Sequence, residues 1–231
     1  MKHLLKRASL SAVLTLIAIS AQGAQWKQGM LQGTVPIKSA GSGAFGPDGI
    51  LFVANSKSAA IHAIATGDVT SRDLSHPIRL ASLDRKLAAL VGVTNKAILI
   101  QDMAVNPLSK NIYFSLSRGC GPDAVPIIAK GHSSGKAELI DLRQVQHSTA
   151  ELPDAPADAE VGEGRRRSNP RMESITDIAF LEDRVLVAVL DYETIEQWQG
   201  VDQLGLLDER HAILLVRADN GPLHLESRPL P

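Results

Sequence analysis

Two aspartates head similar stretches of this chain. Asp102 opens DMAVNPLSKNIYFSLS and Asp177 opens DIAFLEDRVLVA, each an apolar run, a polar turn and a second apolar run. Carboxylates brought together supply the hard oxygen ligands that suit a divalent cation such as calcium. Asn55, Asn106 or Glu173 could add to such a pair. The same acids also suit a structural task, since a carboxylate at a strand start caps a loop by accepting backbone N–H groups. Both readings stand at this point.

Other chemistry is thin. The histidines from His62 to His224 show neither HxxxH nor HxH spacing for zinc. There is no GxSxG elbow for a serine hydrolase. Gly131-His132-Ser133-Ser134-Gly135-Lys136 misses a phosphate loop twice: its glycines are too close, and Ala137 stands where Ser or Thr would meet magnesium. It reads as a glycine-rich turn. Cys120 sits alone in SRGCGPD, a loop, with no base placed beside it. Glu193, Glu196 and Asp202 near Trp198 could make a carboxylate pair, and a solvated amphipathic face explains them as well. No catalytic residue is assigned, and the balance leans away from an enzyme.

The elements that would position the aspartates are strands. In AFGPDGILFVAN, Pro47 fixes φ, Asp48 bonds locally and Gly49 accepts positive φ, so a turn separates two short strands. AAIHAIATGD adds another strand and turn. Aligned on Ala44, Ala104 and Ala179, three stretches share one grammar, at intervals of 60 and 75 residues. Units that cannot bury both faces alone must stack. The expected fold is all-β: propeller-like antiparallel blades, with a β-sandwich as the alternative. Units are expected near 40–68, 100–142 and 173–227, within one domain over 24–231. Ile78–Val93 spaces its apolar residues as a short helix, and Ala150–Gly164 reads as an exposed acidic loop followed by three arginines. DYETIEQWQGVDQLGLLDERHA reads as helix, and HAILLVRADNGPLHLESR as a hairpin turning at Asn220-Gly221.

Residues 1–23 carry Lys2, Lys6 and Arg7, then an apolar run, then Ala21-Gln22-Gly23, the order of a secretory signal peptide. Export to a periplasmic or extracellular space is therefore expected, with no membrane span after cleavage. A lone cysteine leaves the framework to packing. Net charge is −1, which gives no broad field for nucleic acid, and aromatics at 3% disfavour a base-stacking platform.

Phe45-Gly46-Pro47-Asp48-Gly49-Ile50-Leu51-Phe52-Val53-Ala54-Asn55, with NPLSKNIYFS and ITDIAFLEDRVLVA, resembles blades of NHL-type β-propellers and their gluconolactonase-like relatives. The resemblance implies strand starts crowded around a central channel. It also implies a divalent metal that activates water for lactone hydrolysis, with Asp102 and Asp177 as ligands. Three blades fall short of a closed ring, and the pattern decays after Ala188. Three explanations stand: a half-propeller that forms a homodimer, a truncated or frameshifted form of a longer chain, or another all-β fold. The abrupt loss of pattern favours the second. The functional expectation is an exported binding or interaction protein for an unidentified protein or small-molecule ligand. The alternatives are a metal-dependent lactonase-type hydrolase and a non-functional fragment.

Overall fold

In the computed structural model, the residues described are 26–73, 78, 80–121, 123–132, 134–152, 155–164, 167–181, 184–190, 211–217 and 224–226. The expected leader, the helix expected from Asp191 and the Asn220-Gly221 turn lie outside them.

The first described strand is β1 (Leu31–Gly33), followed by β2 (Gly43–Phe45), β3 (Ile50–Asn55) and β4 (Ala60–Ala65). Helix α1 (Leu83–Leu90) follows, inside the segment whose spacing predicts a helix. Then come β5 (Ile98–Val105), β6 (Ile112–Arg118), β7 (Val125–Gly131), β8 (Ala137–Leu139) and β9 (Val145–Glu151). A short helix α2 (Pro170–Glu173) leads into β10 (Ile175–Leu181), β11 (Arg184–Leu190), β12 (His211–Arg217) and β13 (His224–Glu226).

Among the described residues, these strands build three antiparallel sheets with few helices, an all-β architecture. The central sheet runs β1-β9-β4-β3-β2, the second β5-β6-β7-β8 and the third β10-β11-β12-β13. The leading strands of the sheets are neighbours, β2 lying beside β10 on one side and β5 on the other. The unit read from residues 40–68 takes its fourth strand, β9, from beyond the second sheet. His62 pairs with Thr149 across that join, a contact that spacing along the chain does not announce.

The β2–β3 hairpin forms as its turn chemistry dictates. The Gly46 N–H donates to the Ile50 carbonyl at 2.9 Å, and Asp48 and Gly49 both hold positive φ, 53° and 68°. A Cβ on Gly49 would stand 2.8 Å from the Asp68 carbonyl oxygen, so glycine is required there. A Cβ on Gly46 would stand 2.6 Å from the Phe52 ring. Glycine therefore lets two sheets approach at this corner.

Every residue of β3 is buried, because both faces of the central sheet are covered. Toward the third sheet, Ile50, Phe52, Ile61 and Ala63 pack with Ile178, Val185 and Val187. Phe52 stacks on Phe180 at 5.9 Å, and Trp26 meets both rings edge-on at 5.6 and 5.4 Å. Such ring pairs contribute about 0.5–1.5 kcal/mol each beyond buried area. Toward the second sheet, Leu51, Val53 and Ile64 pack with Tyr113 and Ile128. The far face of the second sheet is covered in part by α1, whose Leu87 lies on Phe114, Leu116 and Ala129. The Lys86 ammonium ties this helix to the β7–β8 turn through the Gly135 carbonyl, 2.9 Å away.

Candidate functional site

Asp102 and Asp177 occupy matching places. Each follows a bulge in its leading strand, at Ile100/Asp102 and at Ile175/Asp177, where pairing with the next strand shifts register. Bulges re-aim side chains. Ala44, Ala104 and Ala179 then face Phe52, Tyr113 and Leu186 on the neighbouring strands. Two residues before each alanine stand Ser42, Asp102 and Asp177.

What these three touch differs. Half-buried Asp102 takes the Gly43 N–H on its Oδ2 at 2.8 Å, joining the second sheet to the central one. The Ser42 hydroxyl donates to the Thr176 carbonyl at 3.2 Å, joining the central sheet to the third. Asp177 is exposed, and its Oδ1 accepts only the adjacent Ile178 N–H, at 2.8 Å, among the described contacts.

The other proposed oxygen ligands are buried or lie elsewhere. Asn55 Oδ1 accepts from the Ser39 N–H and hydroxyl and from the Ser58 N–H. Asn106 Oδ1 accepts the Leu108 and Ser109 N–H groups, closing the NPLSK turn. Glu173 is exposed on α2. Among the described residues, no three His, Cys, Asp or Glu side chains gather as a metal cluster would require. Cys120 is exposed. The Gly131–Lys136 segment forms a turn closed by the His132 N–H on the Lys136 carbonyl, 2.8 Å.

The densest polar cluster lies at the end of the junction between central and second sheets, around a residue that the sequence marks only as part of a turn. Asp68 Oδ2 accepts the hydroxyls of Ser109 (2.7 Å) and Tyr113 (3.1 Å) and the amide of Asn111 (2.9 Å). The Asp68 carbonyl accepts from the Asn106 amide at 2.7 Å. Burial pushes this carboxyl up, but bonds from Asn111, Ser109 and Tyr113, with the charge of Lys130, outweigh it and hold it below the ordinary range. Lys130 in turn pairs with Glu138 at 2.7 Å, and His132 reaches the same oxygen at 3.2 Å. Asn111 Oδ1 is buried without a hydrogen-bond partner among the described residues. Chemically this arrangement fixes a charge between two sheets. Tyr113 is itself buried, and burial first, then its Asp68 neighbour, raise its pKa, so the phenol stays protonated.

A second cluster runs through the central sheet. His62, 1% exposed, lies between Asn55 and Thr149. The Asn55 amide serves Nε2 at 2.9 Å, which leaves Nδ1 to carry the proton toward Thr149 Oγ1, also 2.9 Å away. Burial, and secondarily the charge of His147, lower the His62 pKa to about 4. The neutral ring thus pins β3, β4 and β9 together. Alternation placed His62 in a strand, but its partner Thr149 lies 87 residues away. No protein-family model matches this chain, and no curated protein matches it in sequence.

Proposed function

We propose that the chain is an exported binding or interaction protein with propeller-like architecture, its sheets stacked like blades around an axis. The observation that carries this is the side-by-side order of β10, β2 and β5, with residues 42 and 102 each bonded to the neighbouring leading strand. A repeated contact of this kind suits a rigid scaffold whose ligand meets its loops and leading strands. The bond from Gly43 to Asp102 supports a structural task for that acid over cation binding, and with it a non-catalytic reading over the lactonase one.

The test is calorimetric titration of the purified chain with calcium, zinc and manganese, beside hydrolysis of a simple aliphatic lactone. The expected result is no metal-dependent hydrolysis. Hydrolysis that needs metal and disappears in both Asp102→Asn and Asp177→Asn would establish the lactonase instead. A fragment lacking independent structure would show no cooperative thermal transition.

A further inference from the structure

The two junctions among the described strands repeat one strand geometry, though different bonds and side chains fill them. In each, one sheet offers the face carrying residues 43 and 45 or their equivalents, and the next offers the face carrying residues 42 and 44 or theirs. Ile178 and Phe180 of the third sheet thus meet the side of the central sheet that bears Ala44 and Phe52. Gly43 and Phe45 of the central sheet meet Asp102, Ala104 and Tyr113 of the second.

Among the described residues, one copy of each half is left over. The second sheet presents Met103, 63% exposed, and Val105, 51% exposed, where Gly43 and Phe45 stand in the central sheet. Helix α1 covers Phe114 and Leu116 on this face but leaves the β5 margin open. The third sheet presents exposed Asp177 and Ala179, with half-buried Leu186 beside them, where Asp102, Ala104 and Tyr113 stand in the second.

We propose that these leftover halves join between two copies of this chain. Asp177 of one copy accepts the Met103 N–H of the other, as Asp102 accepts that of Gly43, and Met103 and Val105 cover Ala179 and Leu186. The halves are unlike, so the contact is head-to-tail and closes as a two-fold pair when each copy supplies both. Because α1 lies over the outer strands, the contact is confined to the leading strands. The pairing rests on the stacked-sheet reading above.

Sedimentation and light scattering of the purified chain test it, with Asp177→Lys and Met103→Asp as variants at exposed positions. The expected wild type has twice the chain mass. Each single variant weakens pairing by roughly tenfold or more, the loss of about 1.4 kcal/mol. Mixing the two variants restores the pair: one contact is then wholly native, and the other sets the introduced lysine against the introduced aspartate. A wild type that melts cooperatively yet stays monomeric overturns the pairing and leaves the stacked sheets in place. A chain without a cooperative transition overturns both. Single variants that still pair, a mixture that stays monomeric or an open ladder of larger species also overturns the closed head-to-tail pair.

Discussion

The central sheet meets its two neighbours by different means. Against the third sheet it uses rings: Trp26, Phe52 and Phe180, with Gly46 making room for them. Against the second it uses aliphatic side chains, one ring pair, Phe45 with Tyr113 at 4.9 Å, and a set of part-buried hydrogen bonds centred on Asp68 and Asp102. Both junctions follow the same strand geometry, so the geometry does not dictate the chemistry. The apolar burial behind the aromatic contact carries no titrating group and so tolerates changes of pH. A carboxylate holding three donors fixes position more sharply and becomes sensitive to acid.

The largest expected loss comes from cutting the aromatic junction. Phe52→Ala removes a fully buried ring stacked on Phe180, and urea unfolding should show a loss of about 3–5 kcal/mol. The hydrogen-bonded junction is next. Asp68→Ala leaves the donors of Ser109, Asn111 and Tyr113 without their acceptor, all three residues being buried. A loss of about 2–3 kcal/mol follows. Comparable losses that both persist unchanged at low pH would erase the contrast between the junctions.

Acid acts first within the central sheet and then at the Asp68 junction. His62 titrates at about 4 in the folded chain against 6.5 when unfolded, so the unfolded state binds more protons between those values. Stability therefore falls as pH drops from about 6.5 to about 4, by up to about 3 kcal/mol. Asp68 adds a later loss: its folded pKa lies below 3.8, so its contribution goes as pH falls through that lower range. Unfolding followed across pH checks both steps, and His62→Gln should flatten the first. Phe52→Ala should keep it, since the aromatic junction has no titrating group among those rings.

Much of the fold is legible along the chain because it is local. The Gly-Pro-Asp-Gly turn, the three aligned alanines and the helix within Ile78–Val93 all rest on neighbours in sequence. The long pairing of β4 with β9 is not, since nothing in VQHSTAE names its partner. The aspartates show the same division. Their type and place are readable, but what each touches depends on the sheet beside it, and Gly43 is 59 residues from Asp102. Asp68 was hidden for the reverse reason: a Thr-Gly-Asp turn explains it locally, while its three donors arrive 41–45 residues later.

Unfolding of Asp102→Ala beside Asp177→Ala, in dilute solution with and without calcium, tests most directly the claim that matching acids serve as clamps between stacked sheets. Asp102→Ala should lose about 1.5–3 kcal/mol, the value of a hydrogen bond to a charged group, and Asp177→Ala less than about 0.5, with calcium shifting neither wild type nor variant. Equal losses at the two positions, or calcium stabilisation of the wild type that both variants abolish, would contradict it.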